Sequence, residues 1–139
     1  MSWERPLPTH TPETRPFWDA ADAGRFVVQQ CRSCQEFQFP YRGFCCHCWS
    51  TELDEREATT GTVFTHSTIH RNDTEGFEKI VPYVAAMVQL GDERGGLIVQ
   101  SNIVGCEPDS VHIGLPVRVV FEPTVDGHQI PMFTPRETS

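Results

Sequence analysis

Two Cys-X-X-Cys pairs constrain this chain more than any other feature of its sequence. Cys31 and Cys34 form the first pair, Cys45 and Cys48 form the second, and ten residues separate the pairs. A two-residue gap lets both thiolates of a pair face inward, so four sulfurs can surround one metal ion tetrahedrally. The spacing therefore predicts a compact four-cysteine metal ribbon, with a hairpin tip at residues 39–41.

Zinc is the metal that this ligand set favours. All four ligands would be thiolates and no coordination position would stay open, which is typical of a structural zinc site. A rubredoxin-like iron site uses similar spacing and is the alternative. Cys46 is expected to be a spare thiol, because only one residue separates it from Cys48, and His47 is expected to lie beside the metal. Cys106 stands alone and is interpreted as a buried, unreactive thiol.

The N-terminal third of the chain predicts an arm, a helix and the metal ribbon. Residues 1–13 contain three prolines and are expected to form an extended arm. Residues 14–26 predict a short helix, with Thr14 as a candidate N-cap and Gly24 as its stop. The zinc ribbon is assigned to residues 27–52.

The remainder of the chain is typical of short β-strands. The acidic segment 51–60 is interpreted as a solvated loop, and residues 60–135 are assigned to one β domain. Residues 81–90 are nearly all apolar, which predicts a strand buried on both faces, while Pro131 predicts an edge strand. A turn is expected at Gly95-Gly96. The candidate strands are 61–70, 81–90, 97–104, 117–121 and 129–133.

The predicted fold class is mainly β. Five short strands with glycine-rich turns suit a small barrel better than a two-sheet sandwich, which needs about seven strands. We therefore expect an N-terminal helix, a rubredoxin-like four-cysteine zinc ribbon and then a five-stranded OB-fold barrel.

Charge and hydropathy exclude several functional classes. Eleven Lys+Arg against nineteen Asp+Glu give a net charge of -8, which disfavours binding to a polyanion. The N-terminus shows no signal-peptide pattern, and the apolar run from Ile80 to Gly91 is too short to span a bilayer. Clustered thiols suit metal binding in a reducing compartment, so the expected location is the cytoplasm, with no membrane partner.

No recognised catalytic motif appears in the sequence. His66 and His70 are four residues apart on a predicted strand, which separates them by about 13 Å, too far to share an ion. Nucleophile elbows, phosphate-binding loops and catalytic zinc motifs are absent. The residues alone therefore indicate a binding module rather than an enzyme.

The order of these features resembles a zinc-ribbon/OB-fold family associated with acyl-CoA metabolism, and the resemblance extends almost from end to end. The sequence departs from the family pattern at Cys46, where proline is common, and at Gln35, where glycine is common. Neither departure removes a metal ligand. The matching segments are Pro16-Phe17-Trp18, Gln30-Cys31-Arg32-Ser33-Cys34, Phe39-Pro40, Cys45-Cys46-His47-Cys48, Gly61-Thr62-Val63-Phe64, Val81-Pro82-Tyr83-Val84, Val111-His112-Ile113-Gly114-Leu115-Pro116-Val117-Arg118-Val119, Phe121-Glu122 and Ile130-Pro131-Met132-Phe133.

The resemblance implies an accessory subunit. Family members dock onto thiolase-fold enzymes, including degradative thiolases, acyltransferases and the aldolases that shorten steroid side chains. It implies a hetero-oligomer in which the partner supplies the catalytic residues and this chain helps form the acyl-CoA site, in steroid, lipid or aromatic degradation. The zinc would hold the docking ribbon rigid.

Acyl-CoA is expected to be a ligand shared with the partner. Coenzyme A carries three phosphate groups, and this chain has a single lysine, Lys79, among its eleven basic residues, so its own affinity should be weak. The acyl or pantetheine part is expected to contact Tyr83, Met87 and Phe133. The N-terminal arm and residues 130–135 are candidate partner contacts.

Two other classes of function compete with this hypothesis. OB barrels and zinc ribbons also bind single-stranded nucleic acid, although the net charge opposes it. A stand-alone enzyme would have to use His66, Cys106 or the acidic run Asp54, Glu55 and Glu57, which form no recognised catalytic arrangement.

Overall fold

The first regular element of the fold is a short helix, α1. The computed structural model describes residues 6–90 and 97–136. α1 covers Arg15–Asp22, within the predicted range. Gly24 follows with a φ of 78°, and the N–H groups of Gly24 and Arg25 bond to the carbonyls of Ala21 and Ala20. This pairing is a Schellman motif, which explains why the helix ends there.

Contacts through His10 and His128 help to fasten α1 and the preceding segment to the barrel. His10 stacks on Trp18 at a ring distance of 5.0 Å and meets the ring of His128 at 4.4 Å. His128 Nδ1 lies 2.7 Å from the carboxylate of Asp22, and this hydrogen bond raises the pKa of His128. Of the predicted arm, residues 1–5 lie outside the described residues, and residues 6–10 have no helix or strand.

The ribbon is a three-stranded antiparallel sheet with the order β2-β1-β3. Its strands are β1 (Val27–Cys31), β2 (Phe37–Gln38) and β3 (Leu53–Glu57).

The acidic segment is not a loop as expected, because it contains strand β3. Arg25 pairs with Glu57 at 3.0 Å, and Arg32 pairs with Asp54 at 2.8 Å. These ion pairs and the full register with β1 override the low β-propensity of acidic residues.

The predicted hairpin tip at residues 39–41 is also wrong. The chain reverses between β1 and β2 at residues 32–36, which lie inside the first cysteine loop. Phe39 and Tyr41 pack their rings against Phe17 at 5.3 and 5.9 Å, and the Tyr41 hydroxyl donates to Glu55 at 3.1 Å. Aromatic burial against α1 therefore holds this segment inside the structure.

The second part of the chain is a closed five-stranded barrel with the order β4-β5-β6-β8-β7. This confirms the predicted fold class and its five strands. The predicted turn at Gly95-Gly96 lies outside the described residues. The strands are β4 (Thr60–Ile69), β5 (Tyr83–Leu90), β6 (Ile98–Ile103), β7 (Pro116–Pro123) and β8 (Gln129–Pro135).

β5 is buried on one face only, contrary to expectation. Val84, Ala86, Val88 and Leu90 are buried, whereas Met87 is 42% exposed. A single sheet closed on itself encloses one core, so alternate residues of β5 must point outward.

β8 is not an edge strand, because it lies between β6 and β7. One register pair, Ile103 with Phe133, joins it to β6 within the described residues. The carbonyl of Pro131 accepts from the Ser101 hydroxyl of β6 at 3.3 Å. Since the N–H and C=O of one strand residue point the same way, the missing N–H of Pro131 faces this sparsely paired side.

One hydrophobic core joins the helix, the ribbon and the barrel. The ring of Phe26 lies 5.8 Å from Phe17 of α1 and 5.9 Å from Phe133 of β8. Damage to the ribbon is therefore expected to weaken the barrel. Within the described residues, no helix has the length and apolar character needed to cross a membrane.

Candidate metal centre

The structure brings the four predicted ligands together. The sulfur atoms of Cys31, Cys34, Cys45 and Cys48 all lie within 4.8 Å of one another. The Sγ atoms of Cys31 and Cys48 are 3.6 Å apart, as are those of Cys34 and Cys45. A tetrahedral zinc with Zn–S bonds of about 2.3 Å separates its sulfurs by about 3.8 Å. The four thiolates therefore fit a structural zinc ion, which would hold the two loops together and would have no position open for a reaction.

Backbone N–H groups favour the thiolate form of the first ligand in each pair. The N–H of Ser33 points at Cys31 Sγ and that of His47 points at Cys45 Sγ, both at 3.3 Å. The pKa of Cys31 is lowered to about 6, chiefly by the backbone N–H of Cys34. Because a metal binds the thiolate, the lowered pKa favours the form of Cys31 that can bind it.

The two cysteine loops share one backbone geometry. The N–H of Gln35 bonds to the carbonyl of Cys31, and the N–H of Trp49 bonds to that of Cys45, both at 2.9 Å. Gln35 and Trp49 have φ angles of 69° and 70°, in the left-handed region that glycine adopts most easily. Glycine adopts this conformation more easily than glutamine, which agrees with the expectation that the family pattern has glycine at the position of Gln35.

Two buried glutamines, which the sequence analysis missed, connect the ribbon sheet to the second cysteine loop. Gln38 Nε2 donates to Gln29 Oε1 at 2.7 Å and to the carbonyl of Phe44 at 3.1 Å. Gln38 Oε1 accepts from the N–H of Cys46 at 2.8 Å, and Gln29 exchanges two hydrogen bonds with the backbone of Arg42. No spacing rule signals such a pair, because its partners are backbone groups of a loop that only the folded ribbon positions.

Replacing Gln38 with alanine is expected to lower the free energy of unfolding by about 2–4 kcal/mol. The variant removes the three hydrogen bonds that the Gln38 amide makes with Gln29, Phe44 and Cys46, and each such bond contributes about 0.5–1.5 kcal/mol. Zinc affinity, measured by competition with a chelator, should fall as well. Gln30→Ala is the matched control, because Gln30 is less buried, and it should cost below about 1 kcal/mol. Equal losses in urea unfolding of the two variants would contradict the role of Gln38.

Cys46 and His47 lie in the second cysteine loop, but their side chains are not part of the metal centre. Cys46 and His47 are exposed, and neither belongs to the group of four sulfurs. Cys106 is half-buried rather than buried as expected, because it lines a cavity of about 230 Å³ at one end of the barrel.

The three predicted acyl-CoA contacts do not form one site. Tyr83 lines the cavity that contains Cys106, and its hydroxyl accepts from Asn72 at 2.9 Å. Met87 lies on the outer face of β5, and Phe133 is 1% exposed within the shared core. A second cavity, of about 220 Å³, lies beside Phe133 between α1, the ribbon and the barrel.

The histidines that a stand-alone enzyme would need are dispersed. His66 lies opposite Ala86 in the barrel, and its Nδ1 is buried with no hydrogen-bond partner in the described part of the chain. His70 follows the end of β4 and is exposed. Across residues 6–90 and 97–136, the four cysteines are the one group of His, Cys, Asp and Glu side chains arranged to hold a metal.

Known protein families account for both parts of the chain. The model of the ChsH2 rubredoxin-like zinc ribbon domain matches residues 18–54, and that of the ChsH2 C-terminal OB-fold domain matches residues 55–122. Among solved structures, a chain of the Ltp2-ChsH2(DUF35) aldolase superposes with a TM-score of 0.81 at 32% identity, covering 93% of this chain and 98% of that chain.

Two curated relatives carry different names. A probable enoyl-CoA hydratase alpha subunit of Thermomonospora curvata is 33% identical over 94% of this chain, which spans 40% of that protein. A DUF35 domain-containing scaffold protein of Methanocaldococcus jannaschii is 36% identical over 66% of this chain, which covers 64% of its length. The chain thus spans less than two thirds of either relative.

The two family models match consecutive segments, and the aldolase subunit matches the chain almost from end to end. The chain therefore belongs to the ChsH2 (DUF35) family of zinc-ribbon and OB-fold proteins.

Proposed function

We propose that this chain is a non-catalytic accessory subunit that docks onto a thiolase-like enzyme, namely a thiolase, an acyltransferase or an aldolase, in a hetero-oligomer. The observation that carries the proposal is the likeness to the Ltp2-ChsH2(DUF35) aldolase subunit over 93% of the chain. The scaffold naming of the Methanocaldococcus relative supports the same role. Degradation of steroids, lipids or aromatic compounds is the proposed setting, in the cytoplasm, where thiol ligands stay reduced.

An apolar surface on the ribbon supports docking. Phe44 and Trp49 stack at a ring distance of 5.6 Å, and they are 41% and 77% exposed. Exposed aromatic residues are enriched where proteins bind partners. Both residues lie beside the second cysteine loop, so the zinc would hold this surface rigid.

The charges support an acyl-CoA ligand whose nucleotide is held by the partner. Arg25, Arg32 and Arg56 all lie within ion-pair distance of carboxylates, and these pairs weaken their attraction for phosphate. The same pairs oppose nucleic-acid binding. Of the three predicted contact residues, Met87 has the most exposed side chain, so we assign it the contact with the pantetheine or acyl part.

Native mass spectrometry of the untagged protein, purified gently from its own host, tests this function. The expected result is one zinc ion per chain together with a thiolase-fold protein. Calorimetric titration with an acyl-CoA should then show tight binding to the complex and weak binding to the isolated chain. A chain that carries zinc but has no partner, or that binds acyl-CoA tightly by itself, would overturn the proposal.

A further inference from the structure

Within the described residues, β6 forms one register pair with β8, so Ile98 and Gln100 have no register partner on that side. The carbonyl of Leu97 accepts from the N–H of Leu90 on β5, at 2.9 Å. Because backbone groups of successive strand residues point to opposite sides, those of Val99 point toward β5, and those of Ile98 and Gln100 point toward β8. The N–H of Val104, which bonds to Phe133 of β8 at 2.8 Å, follows the same alternation.

β8 offers few backbone donors on the side that faces β6. The N–H of Gln129 donates to Asp22 of α1 at 3.1 Å, and Pro131 has no N–H to offer. Within the described residues, the pair Ile103 and Phe133 is the single register pair between the strands. We call this side of β6, from Ile98 to Gln100, the β6 seam. An unpaired strand edge is a template for another extended chain.

An apolar cavity lies directly beside the β6 seam. Its volume is about 220 Å³, and its wall includes Gln100 of the seam itself. A dry cavity of about 150 Å³ already accommodates benzene, so one aliphatic or aromatic side chain fits here. Other wall residues are Phe17, Trp18, Phe26, Ile130 and Phe133.

Acidic side chains lie around His128 and Gln129, at the start of β8 and beside the β6 seam. The Asp22 carboxylate accepts a hydrogen bond from the N–H of Gln129. Asp22, chiefly through its hydrogen bond to the ring, raises the pKa of His128 together with Asp126 and Asp19. Three carboxylates around one imidazole leave this end negative at neutral pH. A chain that lies along the seam would therefore gain from a basic residue there.

We propose that the β6 seam binds an extended segment of a partner polypeptide. The segment adds as a strand beside Ile98 and Gln100, inserts one aliphatic or aromatic side chain into the cavity, and carries lysine or arginine toward Asp22. The backbone groups of Ile98 and Gln100 that have no register partner on β8 favour an extended chain. The cavity favours an apolar side chain, and the carboxylates favour a positively charged residue beside it. This inference does not depend on the partner being a thiolase-like enzyme.

Selection from a library of random dodecapeptides, displayed against the zinc-loaded full chain, tests the proposal. Selected peptides should share an apolar residue flanked by basic ones. Gln100→Pro removes an N–H that faces the seam and should weaken binding about tenfold in fluorescence polarisation. The matched control Gln100→Ala keeps that N–H and should bind within about twofold of the original chain.

Amide hydrogen exchange on the unsubstituted protein tests the seam even if Gln100→Pro fails to fold. The amides of Ile98 and Gln100 should exchange fast in the free chain and at least tenfold more slowly with the selected peptide. The Val99 amide, which faces β5, should be protected in both states. The proposal is overturned if no peptide is selected, if Gln100→Pro binds normally, or if slow exchange in the free chain shows that the chain itself already fills the seam.

Discussion

Cys31→Ser is expected to abolish zinc binding and to unfold the ribbon. Structural zinc contributes roughly 10–16 kcal/mol in small peptides near neutral pH, whereas a whole domain is stable by only about 5–15 kcal/mol. Cys31 is 1% exposed at the end of β1, so its loss also removes a buried sulfur. Because Phe26 joins the ribbon core to the barrel core, the barrel should lose stability too. Elemental analysis and thermal unfolding followed by circular dichroism measure both effects.

Cys46→Ser is the matched control for this prediction. Cys46 is exposed one residue from a ligand, and it lies outside the group of four sulfurs. The control should keep one zinc ion and unfold near the original temperature. If Cys46→Ser lost the metal and Cys31→Ser kept it, the assignment of the ligands would be wrong. Iron instead of zinc in the purified protein would correct the metal and leave the ligand set unchanged.

Phe133→Ala is expected to lower the free energy of unfolding by about 3–5 kcal/mol, as other buried Phe→Ala replacements do. Phe133 is 1% exposed, packs against Phe26 and, among the described residues, occupies the one register pair between β6 and β8. The truncation also enlarges a cavity that the fold already contains beside this ring. For a chain of this size, the melting temperature should fall by roughly 10–17 °C.

Two further variants keep this prediction specific. Phe133→Leu retains an apolar side chain and should cost less than about half as much. Met87→Ala removes a side chain that is 42% exposed, so its effect on stability should be small. If Phe133→Ala unfolds at the original temperature, Phe133 does not join the ribbon core to the barrel core.

Much of the architecture could be predicted because it depends on local patterns. The spacing of Cys31 and Cys34 places two sulfurs on one side of a metal whatever the rest of the chain does. A run of β-branched residues likewise located the strand that begins at Thr60, and a nearly continuous apolar run located the one that begins at Tyr83. Such patterns act over a few residues, so they can be read without knowing which distant segments meet.

The errors concern segments whose structure depends on distant partners. β3 has a sequence typical of a loop and becomes a strand because β1 supplies a register, and because Arg25 and Arg32, on either side of β1, pair with its carboxylates. The segment 39–41 does not form a hairpin tip, because the rings of Phe39 and Tyr41 pack on Phe17 of α1. Gln38 gains its role from backbone groups of the second cysteine loop.

By itself, the sequence determined the metal ligands, the order of helix, ribbon and barrel, and a charge that opposes polyanions. The tertiary structure alone decided that the ribbon and barrel share one core through Phe26, that Gln29 and Gln38 support the metal centre, and that a cavity lies beside β6 where, among the described residues, one register pair joins it to β8. The reason is physical. Ligand spacing and strand periodicity depend on neighbours along the chain, whereas shared burial and strand pairing depend on which segments meet in space.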